Sequence, residues 1–138
     1  MKPITIIFVD DHPLIRKAWA FIFQNDPRFE LVGECETGEE AVEKSKELCP
    51  DIVIMDIRLS GISGVEATSQ IRKNCPGTNI IGLSFHNQAR QAREIMDKGA
   101  MGYLTKLSNP EEIFKAIIEV NKGNSYISED MAFKLSLL

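Results

Sequence analysis

The chain is poor in most of the residues that would tie it to an unusual environment. It has three cysteines, Cys35, Cys49 and Cys75, an odd number at wide spacing. No pair has the short separation of a zinc ligand set or a redox couple, so the expectation is reduced thiols in a cytoplasmic protein. Long hydrophobic runs are missing too. The N-terminal "MKPITIIFVDD" is too short in apolar residues for a signal peptide and runs straight into two acids. Nothing approaches a membrane span, which excludes a bilayer as a partner. Positive charge is in deficit: 16 Lys and Arg against 20 Asp and Glu give a formal net charge of −4. A chain of that sign does not hold nucleic acid through a basic face of its own. What is present is 138 residues with 43% hydrophobic content. That is enough for one domain burying roughly two thirds of its unfolded surface.

The apolar residues come in two rhythms. Ile4–Val9, Ile52–Met55 and Ile80–Leu83 are nearly unbroken runs, as in strands covered on both faces of a parallel sheet. Phe29–Gly33 alternates, as an edge strand does, and Gly102–Thr105 supplies a fifth. Between them, Ile15, Ala18, Trp19 and Ile22 recur at helical spacing, as do Ile113, Ala116, Ile117 and Val120. Weaker stripes fill 38–48, 64–73 and 88–98. Pro13 and Pro110 sit just inside the first and last helices, where a missing amide proton is harmless. The pattern predicts a doubly wound (βα)5 α/β fold of flavodoxin-like type, with parallel strand order 2-1-3-4-5. The expected division is a domain over 1–122 and a linker or tail over 123–138.

In such a sheet, ligands sit beyond the carboxyl ends of the strands. Asp10 and Asp11 follow the first strand, Asp56 ends the third, Ser84 ends the fourth and Lys106 follows the fifth. All are expected on one rim. Three carboxylates crowded together repel, and a hard divalent cation, Mg²⁺ above all, relieves that while leaving coordination positions for phosphate oxygens. Asp56, on the central strand, is then the nucleophile for a phosphoryl group, with Lys106 neutralising charge and the Ser84 hydroxyl meeting a phosphoryl oxygen. Each residue also has a plain reading: Asp10 and Asp11 as helix caps, Lys106 as a solvated lysine, Ser84 as a loop hydroxyl, Tyr103 as a half-buried aromatic. His12 and His86 form no recognised metal spacing, and capping or solvent-facing roles are expected of them.

At these positions the sequence resembles bacterial response-regulator receiver domains. The acid pair "VDD", the acceptor in "IVIMDIRLSG", the hydroxyl in "IIGLS" and the lysine in "GYLTK" carry the likeness. The stretches "DDHPLIRKA" and "NKGNSYISEDMA" look like the narrower NarL/FixJ type. The resemblance implies a sensor histidine kinase that donates phosphate to Asp56, and Mg²⁺ held by Asp11, Asp56 and the Arg58 carbonyl, with Asp10 acting mainly through water. It implies Ser84 and Tyr103 as a switch pair and a helix-turn-helix DNA-binding output domain beyond this chain. It implies a signalling domain rather than an enzyme.

Three residues depart from the family pattern. Ser60 stands where a proline commonly follows the acceptor, leaving that loop less constrained. Leu107 replaces a proline often found in a cis peptide. Phe85 replaces a small residue beside the switch serine. The alternatives are a receiver-like scaffold that signals without phosphorylation, a phosphotransferase of the haloacid-dehalogenase kind, whose D-x-D spacing "VDDHP" lacks, and a flavodoxin-like cofactor binder, whose phosphate-cradling loop is here acidic.

Apolar residues left over from the core suggest a partner. Leu14 and Phe21 on the first helix, and Phe114 and Ile118 on the last, fall off the core stripes. They are expected either to be covered by the tail, through Tyr126, Ile127, Met131 and Phe133, or to form a homodimer through the first and last helices.

Overall fold

The computed structural model describes residues 2–84, 89–105 and 108–138, without the side chain of Asp130. Strands β1 (Ile4–Val9), β2 (Phe29–Cys35), β3 (Ile52–Asp56), β4 (Asn79–Ser84) and β5 (Gly102–Thr105) alternate with helices α1 (Pro13–Gln24), α2 (Gly38–Leu48), α3 (Gly64–Asn74), α4 (Ala89–Asp97) and α5 (Pro110–Asn121). The sheet runs β2-β1-β3-β4-β5 as the doubly wound topology requires, and all its pairings are parallel. β3 is buried along its whole length, including Asp56. Central strands of a sheet clad on both sides read this way, which is why "IVIM" shows no alternation.

The helices start where side chains satisfy their first amides. Thr37, Ser63 and Asn109 each accept a hydrogen bond from the backbone N–H three residues on, at Glu40, Glu66 and Glu112. Two apolar layers flank the sheet. On one face Trp19 and Phe23 of α1 and Ile113, Ala116, Ile117 and Val120 of α5 pack on Ile6, Phe8, Ile52, Ile54, Ile81 and Leu83. On the other, Ala41, Ala67, Ile71, Ala92 and Ile95 pack on Ile7, Val9, Val53, Met55 and Ile80.

The helical stripe expected of α1 is rotated by about one position. Trp19 and Phe23 are its buried residues, Ile15 and Ile22 are partly buried, and Ala18 is exposed. Phe114 and Ile118, expected off the core, pack partly buried against it. The Phe114 ring stacks on Phe29 at 5.2 Å between centroids, and the Arg28 guanidinium covers both rings. The large aromatic at 29 extends the core edge far enough to reach α5.

Residues 123–138, read from the sequence as a linker or tail, add to the sheet. β6 (Tyr126–Ile127) pairs parallel with β5, and α6 (Glu129–Ser136) packs on α4. Met131 is fully buried in the same layer as Ala92, Ile95 and Tyr103. The tail therefore covers the β5 edge and α4, leaving Leu14 and Phe21 of α1 exposed.

Candidate functional site at the carboxyl rim of the sheet

β1 and β3 are hydrogen-bonded neighbours, so the residues that follow them emerge side by side. Ligand atoms of Asp10, Asp11, His12 and Asp56 all lie within 4.8 Å of one another. Asp10 is completely buried and Asp56 is 3% exposed, while Asp11 keeps partial contact with solvent. Two hydrogen bonds to the Asp10 main chain fix the turn that presents them: Asp10 N–H donates to the Cys35 carbonyl at 3.0 Å, and the Arg16 guanidinium donates to the Asp10 carbonyl at 2.6 Å.

His12 is the residue that sequence reasoning missed. It occupies the N-cap position of α1, yet its side chain makes no cap bond. Its Nδ1 lies 2.6 Å from Asp10 Oδ1 and 3.1 Å from Asp11 Oδ1, and its backbone N–H donates to Asp10 Oδ1 at 2.8 Å. No spacing rule flags a histidine that joins a cluster through its immediate neighbours.

Asp56 is held from the other side. Its Oδ1 accepts the Arg58 N–H at 3.1 Å, the next residue, Ile57, donates its N–H to Leu83 O at 3.2 Å, and Gly64 N–H returns to Ile57 O at 2.9 Å. Gly64 opens α3 directly against this backbone. A Cβ there would stand 2.2 Å from the Asp56 carbonyl oxygen, so only glycine permits the approach. The loop between them lacks the family's proline at Ser60 but is tethered elsewhere. The Glu39 carboxylate accepts the Ile62 N–H at 3.2 to 3.3 Å, and Gly61 takes φ +78° above it.

Ser84 ends β4 opposite Thr105 and is buried. Tyr103 is wholly buried on the strand beside that of Ser84. Burial raises its phenol above the ordinary value, an effect opposed by the Ser84 side chain and by the Arg58 charge. Gly82, whose Cβ would sit 3.3 Å from the Tyr103 ring and 3.1 Å from Ile95, leaves room for that placement. Tyr103 is therefore fully buried, not the half-buried aromatic of the plain reading. Lys106, Phe85, His86 and Leu107 lie outside the described residues, and so does the expected rim position of the lysine.

The donor set suits a hard cation. It offers carboxylate oxygens from three aspartates, and one of these atoms, Asp11 Oδ1, is shielded from water with the His12 ring nitrogen 3.1 Å away. Oxygen donors of this kind match Mg²⁺ or Ca²⁺ better than a softer metal.

Residues 6–118 match the response regulator receiver domain family. The chain belongs to that family. The response regulator UvrY of Escherichia coli (strain K12) is 36% identical over 134 residues, covering 97% of this chain and 62% of its own length. The chain thus spans less than two thirds of that relative. A crystal structure of a LuxR-family two-component response regulator from Aurantimonas sp. SI85-9A1 superposes with TM-score 0.92 at 33% identity, covering 98% of this chain and 96% of the other. The signal receiver domain of the putative response regulator NarL from Mycobacterium tuberculosis gives TM-score 0.86 at 28% identity, over 90% of this chain and all of that one. The receiver is of NarL/FixJ kind, a signalling domain with the CheY-like α/β fold. Among the described residues no helix is long and apolar enough to cross a membrane.

Proposed function

We propose that this receiver accepts a phosphoryl group on Asp56 from a sensor histidine kinase and passes the signal to a DNA-binding output domain in a longer cytoplasmic protein. The observation that carries the reading is the buried carboxylate of Asp56 within 4.8 Å of two further aspartates at the carboxyl end of the sheet. Asp10, Asp11, Asp56 and the Arg58 carbonyl are the groups to hold Mg²⁺. When bound, the ion supplies charge neutralisation for incoming phosphate oxygens. An Asp56 oxygen attacks phosphorus, the new O–P bond forms as the bond to the donor histidine breaks, and the Lys106 ammonium offsets the remaining charge. The protein turns over no external substrate, since the product stays on its own side chain.

Ser84 and Tyr103 are the switch pair in this reading. Tyr103 lies buried on the strand that pairs with the Ser84 strand. Phosphorylation stabilises one of two conformations by giving the Ser84 hydroxyl a phosphoryl oxygen to bond. A homodimer through α1 and α5 is the expected readout. Leu14, Ala18 and Phe21 share one exposed face of α1, at i, i+4 and i+7, with Phe114 and Ile118 of α5 on the neighbouring helix.

Incubation with Mg²⁺ and a small acyl phosphate, followed by intact mass, tests the assignment. The parent should gain one phosphoryl group and Asp56→Asn none, the amide keeping the shape but not the nucleophile. Equal phosphorylation of the variant moves the acceptor elsewhere. No phosphorylation of the parent, from this donor or from phosphohistidine, favours a scaffold that signals without the modification.

A further inference from the structure

Two cysteines that the sequence separates by 26 positions meet in the fold. Cys49 Sγ and Cys75 Sγ lie 4.0 Å apart. Each is the C-cap of its helix, Cys49 closing α2 and Cys75 closing α3. Adjacent packing of those helices brings the two ends together. Cys75 Sγ donates to the Ser45 carbonyl at 3.3 Å and Cys49 Sγ contacts the Lys46 carbonyl at 3.8 Å, so the last turn of α2 holds both sulfurs. Cys49 is at φ +43°, in the left-handed region where glycine is usual. Packing alone explains Cys75, which is buried, but gives no account of an exposed thiol beside it at a strained cap.

The third thiol is remote from this pair. Cys35 ends β2 opposite Val9, at the carboxyl rim, whereas Cys49 and Cys75 precede the first residues of β3 and β4 at the far rim. Reagents reach the pair through Cys49, which lines an open cleft of about 400 Å³ with Leu48, Asp51 and Asn121.

We propose that Cys49 and Cys75 are a hydroperoxide-responsive dithiol that closes into an intramolecular disulfide between the ends of α2 and α3. Cys49, facing solvent, reacts first: its thiolate attacks one peroxide oxygen, the O–O bond breaks, and the leaving hydroxide takes a proton to become water. Burial raises the Cys75 thiol, with the Cys49 contact adding to the effect, which assigns Cys75 the second step. Its sulfur attacks the Cys49 sulfenic sulfur, the S–O bond breaks, and hydroxide leaves with the Cys75 proton as a second water. Two thiols lose two protons and two electrons, and one hydroperoxide is reduced. The sulfurs must close from 4.0 Å to a bond of about 2.05 Å, a movement within reach of the exposed Cys49 side chain at a helix end. The link would enclose β3 while lying at the opposite end of that strand from Asp56, and it does not depend on the phosphoacceptor reading.

The test is exposure of the reduced 138-residue chain to hydrogen peroxide, then alkylation, digestion and mass analysis without reductant. The expected result is a loss of two hydrogens and a cross-linked peptide carrying Cys49 and Cys75, reversed by dithiothreitol. The link should persist in Cys35→Ser and vanish in Cys49→Ser, whose exposed site leaves folding intact by circular dichroism. Oxygen adducts on Cys49 without a cross-link, a link through Cys35, or a link only between chains each overturn the proposal.

Discussion

Asp11 is the aspartate of the cluster that still touches solvent, and its Oδ1 lies 3.1 Å from the His12 ring nitrogen. Buried Asp10 is engaged by His12 more closely, through both backbone and ring. Asp11→Ala should therefore weaken Mg²⁺ binding by about tenfold or more, roughly 1.4 kcal/mol, and calorimetric titration measures it; an unchanged affinity would remove Asp11 from the ligand set. A second residue makes a pH prediction. Burial pushes the Cys35 thiol up from 9.0 to about 11, with the Glu40 charge contributing. Below the unfolded value the thiol is neutral in both states and its contribution to stability is complete. As pH rises from 9.0 toward about 11, the unfolded chain releases the proton first and the native state loses up to roughly 2 to 3 kcal/mol. Urea unfolding across that window should show the loss in the parent and a shallower one in Cys35→Ala, the buried Tyr103 phenol contributing equally to both. Single residues were legible where chemistry and strand ends coincide, as at Asp10, Asp11, Asp56 and Ser84. They were not legible where an effect depends on neighbours in space: His12 folding onto the acids, Cys49 meeting Cys75, or the bare methyl of Ala18 being taken for part of a core stripe.

At the scale of elements, the start of α3 decides how Asp56 is presented. Gly64 lets the first turn of the helix press on the backbone at Asp56 and Ile57, where an added Cβ would meet the Asp56 oxygen at 2.2 Å and the Ile57 Cα at 2.8 Å. These obstacles are backbone atoms and cannot rotate away. Gly64→Ala should cost about 1 to 3 kcal/mol or more in denaturant unfolding and slow phosphorylation of Asp56, because relief requires the acceptor loop or α3 to shift. Parent-like stability and rate would mean the helix moves freely and does not position the acceptor. The same scale explains which elements could be read in advance. β1, β3 and β4 announce themselves by runs of branched residues, β2 by alternation, and α1 and α5 by proline at N1. β6 has only two residues and α6 eight, too little for a hydrophobic period. Both exist because β5 offers an open edge and α4 an apolar face, conditions set by the rest of the fold.

For the whole molecule, the tail decides which surface remains for a partner. β6 occupies the free edge of β5, and Met131 and Leu135 of α6 join the layer that contains Ala92, Ile95 and Met96 of α4. An interface through α4 and β5 would first have to displace them. On the opposite side the described residues leave α1 uncovered, with Leu14 81% exposed and Phe21 68%. Their shared face with Ala18 is apolar beyond the stripe that packs on the sheet, as in a helix with a second surface to bury. α5 offers less than its sequence suggests, because Phe114 is stacked on Phe29 and Ile118 is partly buried. A charge at Ile118 would disturb the core as well as an interface, so Phe21→Glu is the cleaner variant. Phosphorylated parent chain should dimerise in sedimentation, and Phe21→Glu should stay monomeric while accepting phosphate on Asp56 at the parental rate. The unphosphorylated parent should dimerise less, by the factor of about 5 to 150 that a coupling of 1 to 3 kcal/mol provides. Phe133→Glu, at an exposed position of α6, is the control and should dimerise as the parent does. If Phe133→Glu is the variant that stays monomeric and Phe21→Glu dimerises normally, the partner surface is the tail, and α1 is only a solvated helix with two exposed side chains.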